Sequence, residues 1–298
     1  MILPLASTLL VTSVLAANQA PKSAAVESPT ADIAIAEDAP AFKLSLSLEA
    51  WFPRLEGEFT DGPAAVDVRM PDLHDSEPSF AGALSFRQDR LEIALRGFAF
   101  ATDGGGAADT AFELGGLAVD AGDAFTADFS WWSVGAEVSY DFYRPLAEQP
   151  TPWGEPRAGW KPAANATDLS VFVLVSADLN QFERTLANLD TGLSTDASET
   201  FASLAVGVGF RLSFDTKPSM PLIRRIDLGA KAAYGAHLAL GGGDGGTGGR
   251  IEADIRAHFS EHLSAYFGYR YSGGGFEGED MTLEGSLQGI RGGIRFEF

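Results

Sequence analysis

The chain has 298 residues, no cysteine, 34 glycines, 21 phenylalanines and a formal net charge of −20. Without cysteine there is no disulfide framework and no thiolate chemistry, and so acidic a balance excludes an extended contact with nucleic-acid phosphates. Glycine and phenylalanine at this level suit sheets that pack closely and face lipid, and the length suits one or two soluble domains or one closed barrel.

Ile2 to Ala16 is apolar and ends in small residues, with Val14 and Ala16 in a small-x-small pattern. This predicts an export signal over residues 1–16, cleaved after Ala16. It departs from the usual pattern in having no Lys or Arg before the apolar stretch. Residues 17–41 are Ala, Pro, Ser and acidic residues without periodicity, which predicts a flexible periplasmic linker. No later stretch reaches the roughly 18 apolar residues of a spanning helix.

From residue 43 the chain alternates. Leu44, Leu46, Leu48, Ala50 and Phe52 share one face of a first strand, with Ser45, Ser47, Glu49 and Trp51 on the other. Pro53 then predicts a bulge or the end of the ladder. Residues 61–78, with Pro63, Pro71 and Pro78, read as a loop. Phe80–Phe86 and Leu91–Leu95 form a hairpin around the polar turn Arg87-Gln88-Asp89-Arg90. Asp103 to Gly106 is expected to open a long connection, in which Phe112, Leu114, Leu117 and Val119 flank Gly115-Gly116 as an extramembrane hairpin.

The clearest outward stripe is Trp132, Val134, Ala136, Val138, Tyr140 and Phe142, with Glu137 and Asp141 on the inward side. Aromatic residues at both ends of it fit an interfacial girdle. Residues 143–168 hold five prolines with Trp153 and Trp160, and are long for the short turn that strand parity expects there. Strands then follow at Leu169–Ala177, Ala202–Phe214, Ile226–Ala236, Ile251–Phe259 and Leu263–Tyr271. Lys217-Pro218 and Ser260-Glu261-His262 mark turns, and Gly241–Gly249 reads as a glycine loop.

In the final segment Ile290, Gly292, Ile294, Phe296 and Phe298 point one way, and Arg291, Gly293, Arg295 and Glu297 the other. This resembles the C-terminal signature strand of bacterial outer-membrane β-barrels. The resemblance implies that Ile290, Ile294, Phe296 and Phe298 are an assembly signal read by the barrel-assembly machinery. By pattern, residues 43–298 resemble small barrels of the OmpA/OmpW kind, and residues 42–298 are expected to form the barrel domain. The expected fold is therefore all-β, an antiparallel up-and-down transmembrane barrel of about ten strands, or eight or twelve if one hairpin is divided differently. The expected location is the outer membrane of a diderm cell, in contact with its lipid.

The inward face carries Glu49, Arg96, Glu137, Asp178, Arg211, Asp227, Lys231, Glu252, Arg256, Arg270, Arg291 and Arg295, with Glu92 and Asp254 among them. Charges in a narrow low-dielectric lumen must pair or meet water. They predict a lumen ionic network, either structural or gating a narrow pore. Asp72-Leu73-His74 resembles the Asp-x-His of omptin-type proteases, with Glu277 and Glu279 as a poor second acidic pair. His258-Phe259-Ser260 resembles the His-x-Ser of lipid A deacylase barrels. Gly241-Gly242-Gly243-Asp244-Gly245-Gly246 looks like one copy of a calcium-binding repeat, too few to stack. No Walker, zinc-ligand or dinucleotide motif is present, so neither cofactor nor metal is expected. The leading function is a non-enzymatic barrel, structural or a narrow solute channel. The alternatives are an outer-membrane hydrolase acting from rim loops and a soluble periplasmic β-sandwich.

Overall fold

The structure is a computed structural model that describes residues 42–60, 65–144, 167–216 and 222–298. The expected signal segment and linker lie outside these residues, as do residues 145–166 of the Pro/Trp segment and Lys217-Pro218.

Thirteen strands are described: β1 (Phe42–Thr60), β2 (Ala65–Asp67), β3 (Ser79–Gln88), β4 (Leu91–Ala107), β5 (Phe112–Leu114), β6 (Leu117–Val119), β7 (Ala124–Tyr143), β8 (Thr167–Asn188), β9 (Leu193–Asp215), β10 (Arg225–Ala239), β11 (Gly246–His258), β12 (Leu263–Glu277) and β13 (Thr282–Glu297). Leaving aside β2, β5 and β6, ten strands pair antiparallel with their neighbours in chain order. The seam closes where β13 pairs with β1 from Ser45↔Glu297 to Thr60↔Thr282. The result is a closed up-and-down barrel with no open edge in its wall, because every ladder finds a partner. β2 lies against the far part of β1, and β5–β6 is the separate hairpin expected around Gly115-Gly116. Phe42 and Phe298 mark what is here called the terminal end.

Near that end the wall has apolar side chains outside and polar ones inside. Leu46, Leu48, Phe52, Val134, Val138, Val175, Val206, Ile255, Phe267 and Ile290 are exposed on the outer surface. Glu49, Glu137, Asp227 and Glu252 are buried inside. The strands are much longer than this belt: β8 has 22 residues and β9 has 23, about twice what a tilted strand needs to cross a bilayer.

Beyond the belt the polarity reverses with no register slip along β1. Its outward positions become Arg54, Glu56 and Glu58, and its inward positions Leu55 and Phe59 are fully buried. β7 shows the same reversal, with Phe125, Ala127, Phe129 and Trp131 inside and Asp128 exposed outside. In a strand the side-chain period is two, so a change in which parity is apolar means that the surroundings of the wall have changed. The barrel thus has two stacked parts: a lipid-type belt around a charged lumen, and a water-type wall around a dry core.

Three sequence expectations change accordingly. Pro53 does not end β1. The β1–β3 ladder stops at Trp51↔Ser79, and the Pro53 carbonyl accepts from the Glu77 N–H at 3.1 Å on that same side. The missing N–H of Pro53 therefore falls beyond the ladder and removes no bond from it. Asp103–Gly106 does not open a loop, because β4 pairs with β7 as far as Ala107↔Ala124. Gly246–Gly249 belongs to β11, which shortens the glycine loop.

Candidate functional site

Period-two geometry aims one side chain in two from each strand at the axis. All ten barrel strands place at least one charged residue in the lumen. Glu49 lies on β1, Arg87 on β3, Arg96 on β4, Glu137 on β7, Asp178 on β8, Arg211 on β9, Asp227 and Lys231 on β10, Glu252 and Arg256 on β11, Arg270 on β12, and Arg291 and Arg295 on β13.

The middle layer is tightly paired. Arg96 donates to Glu137 at 3.1 Å and to both oxygens of Asp178 at 2.8 Å. Lys231 donates to Glu137 Oε1 at 2.8 Å, and Arg250 to Glu137 Oε2 at 2.5 Å. Arg291 donates to Glu49 and to Asp254, each at 2.9 Å, and its Nη1 stands 3.2 Å from Glu252. Arg270 stands 2.9 Å from the other oxygen of Glu49, and Tyr266 donates its hydroxyl to Glu49 at 3.1 Å. Five cations (Arg96, Lys231, Arg250, Arg270, Arg291) meet five carboxylates (Glu49, Glu137, Asp178, Glu252, Asp254). Charge balance with short contacts is what makes burial of so many ions tolerable.

Small residues make the room. A Cβ on Gly135 would sit 2.1 Å from Asp178 Oδ1, and one on Gly293 would sit 2.7 Å from the Tyr266 hydroxyl.

Toward the terminal end the network loosens. Glu92 is approached by Arg87 and Arg211 at 3.4 Å and by Arg295 at 3.8 Å. Arg87 also pairs with Asp141. Asp227 is held by Arg225 at 2.9 Å and by His258 Nε2 at 2.7 Å. His258 is therefore a buried partner of an aspartate, as its inward parity implies.

Toward the far end the lumen is crossed by aromatic rings. Trp131 and Phe182 have centroids 4.6 Å apart, Phe182 and Phe276 4.8 Å, and Phe201 and Phe276 5.4 Å. Trp51 and Phe98 pack edge to face at 5.2 Å, and His237 stacks on Phe276 at 4.1 Å. Trp51, Trp131, Phe182, Phe201 and Phe276 are all at most 2 % exposed. One polar chain ties this layer to the wall: the Trp131 indole N–H donates to Asn180 at 3.2 Å, the Asn180 amide donates to Ser203 Oγ at 2.8 Å, and Ser203 Oγ lies 2.7 Å from His237 Nδ1. A cavity of about 240 Å³ runs among the charged side chains of both ionic layers and reaches the aromatic layer, lined by Glu49, Arg96, Phe98, Trp131, Glu137 and Arg295 among others.

All twelve lumen residues expected from the sequence are brought together inside the barrel. Sequence reading missed Arg87, which it left in a polar turn. It also missed the aromatic layer, whose signal was the run Phe125, Ala127, Phe129, Trp131 at the parity opposite to Trp132–Phe142. Ile290, Ile294 and Phe298 lie exposed on the outer face of the wall. Asp72 and His74 stand apart from the lumen network, half-exposed, with 3.7 Å between Oδ1 and Nδ1. Among the described residues no other carboxylate contacts His74.

An apolar outer belt, a closed antiparallel wall and a charged lumen define an outer-membrane-type β-barrel. Among solved structures, the chain is similar to the outer membrane protease OmpT from Escherichia coli. The identity is 7%, with 88% of this chain and 99% of that one covered, at a TM-score of 0.44. It is also similar to the transport unit of the autotransporter AIDA-I from Escherichia coli, at 10% identity, 89% and 92% coverage and a TM-score of 0.40. With Neisserial surface protein A the values are 11%, 86% and 97%, and 0.33. These likenesses are distant and assign no activity. No protein-family model and no curated protein matches the chain.

Proposed function

We propose that this protein is an integral outer-membrane barrel with a structural role, non-enzymatic and non-conducting, whose terminal end faces the periplasm. The aromatic layer carries this reading. Trp131, Phe182, Phe201 and Phe276 reach into the lumen from four different strands and pack ring against ring, each at most 2 % exposed. A hydrated ion cannot pass such a layer without losing its water. The ionic network then serves to hold ten strands in register around a narrow axis. The outward row Ile290, Ile294, Phe296 and Phe298 is assigned to barrel assembly.

The test is conductance in a planar bilayer. Purified protein is expected to give no stepwise current, and Trp131→Ala with Phe182→Ala is expected to introduce one. Regular steps from the unaltered protein would overturn the reading in favour of a channel. The rival, a hydrolase acting from the rim, rests on the Asp72–His74 contact. Turnover of a peptide or lipid substrate that Asp72→Ala and His74→Ala abolish, with the barrel still folded, would establish it instead.

A further inference from the structure

The two ionic layers of the lumen differ in how well their cations are satisfied. In the middle layer each of the five cations has a carboxylate oxygen within 2.9 Å. In the layer nearer the terminal end, Arg211, Arg256 and Arg295 have none closer than 3.4 Å. Arg211 reaches Glu92 at 3.4 Å, a carboxylate it shares with Arg87. Arg256 reaches Asp254 at 3.9 Å, but Asp254 is already bonded by Arg291 at 2.9 Å. Arg295 stands 3.6 Å from Glu297 and 3.8 Å from Glu92, and donates to Ser85 at 3.2 Å. The Nε groups of Arg256 and Arg295 are buried without a hydrogen-bond partner, as are those of Arg270 and Arg291, so the difference between the layers lies in the distances to carboxylates.

Among the described residues, Arg87, Arg211, Arg225, Arg256 and Arg295 stand beside Glu92, Asp141, Asp227, Asp254 and Glu297, and of these five carboxylates Asp254 is already bonded by Arg291 at 2.9 Å. Asp227 is committed to Arg225 and His258, and Asp141 to Arg87. Arg295 is buried where repulsion from Arg256 and Arg211 opposes attraction from Glu92 and Glu297. Well-formed guanidinium–carboxylate pairs close to about 2.7–2.9 Å and are often bidentate. Here three guanidinium groups line the same space, and none closes on a carboxylate to that distance. All three line the cavity of about 240 Å³, whose lining also includes Phe98, Trp131 and Phe276 of the aromatic layer.

We propose that Arg211, Arg256 and Arg295 form a binding site for a small soluble oxyanion of the phosphate or sulfate class. Such an ion offers several acceptors at the spacing that guanidinium forks fit, and it supplies the close partners that these three guanidinium groups lack. The cavity has room for an ion of this size with some water. The inference uses the reading above only in taking the far end as closed.

The experiment is thermal unfolding of refolded full-length barrel in maltoside micelles, which carry no phosphate, as inorganic phosphate replaces chloride at constant ionic strength. The midpoint is expected to rise along a saturating curve, by about 3 °C at ten times the half-saturating concentration. In Arg256→Gln and Arg295→Gln the rise is expected to vanish. In chloride alone Arg256→Gln is expected to match or exceed the unaltered midpoint, since it relieves repulsion, whereas an arginine that merely braced the wall would lower it. No phosphate-dependent shift, or the same shift in both variants, would overturn the site. Binding by a protein that conducts would leave the site standing and remove the non-conducting reading; neither binding nor conductance would do the reverse.

Discussion

Glu49 and Arg291 are 242 positions apart in the chain and meet at 2.9 Å in the middle of the lumen, on the two strands that close the barrel. The pair joins β1 to β13 from inside while the backbone ladder joins them along the wall. Arg291 also bonds Asp254 and stands near Glu252, so its removal leaves three carboxylates short of a cation. Arg291→Met is therefore expected to lower stability by about 3–5 kcal/mol. The double variant Glu49→Gln/Arg291→Gln should lose less than the sum of its two single changes. Urea unfolding of the refolded protein measures both; strict additivity would show that the contact is incidental.

Phe182 touches Phe129, Trp131, Phe201 and Phe276 and is fully buried. Phe182→Ala opens a void at the centre of the ring layer and is expected to cost about 3–5 kcal/mol. Phe182→Leu keeps much of the volume and should cost clearly less. A heat-modifiable gel series reads the order of the three proteins, and an equal midpoint for Phe182→Ala would mean that the layer is not packed.

Gly135 lies opposite Asp178 in the β7–β8 ladder, and a Cβ there would fall 2.1 Å from the carboxylate and 2.5 Å from the Ala177 backbone carbonyl, so only the first part of the clash depends on Asp178. Gly135→Ala must push Asp178 away from Arg96, which holds it at 2.8 Å through both oxygens. We expect a loss of about 1–3 kcal/mol from the overpacking. The loss should shrink in an Asp178→Asn background. If the two changes were independent, Asp178 would not be what the glycine makes room for.

Phe298 is held by its backbone, donating to the Leu44 carbonyl at 2.8 Å, while its ring is 72% exposed. Phe298→Ala should therefore move the unfolding midpoint of protein refolded in vitro by no more than about 0.5 kcal/mol. In cells the same change is expected to reduce the folded, membrane-inserted fraction several-fold, because the assigned role is in assembly. Equal yields in cells would remove that role.

Much of the barrel could be read from residue order. Strand number, the inward parity of Glu49 to Arg295 and the β5–β6 hairpin all follow from a period of two and from glycine turns, which are local signals. What could not be read came from a change of surroundings within one strand. Pro53, with Arg54, Glu56 and Glu58 after it, looks like the end of a strand if apolar residues must keep one parity. The wall instead continues as Leu55 and Phe59 take up the opposite parity. Arg87 was hidden for a related reason: the tight turn begins two residues later than its polar neighbours suggest, so its side chain reaches Asp141 inside. The looseness around Arg256 depends on which carboxylates Arg291 and Arg225 have already taken, a three-dimensional fact that spacing does not carry.

The parity change also acts as a waterline. At Phe52 on β1 and Trp132 on β7 the wall passes from a surface suited to hydrocarbon to one suited to water. That boundary, rather than strand length, sets how deep the barrel floats. Moving the switch by two residues along every strand would sink or raise the whole body by about 5 Å, since two residues of a tilted strand span roughly that height. Residues that look like packing choices, such as Leu55 turned inward and Arg54 turned outward, therefore fix the draught of the vessel.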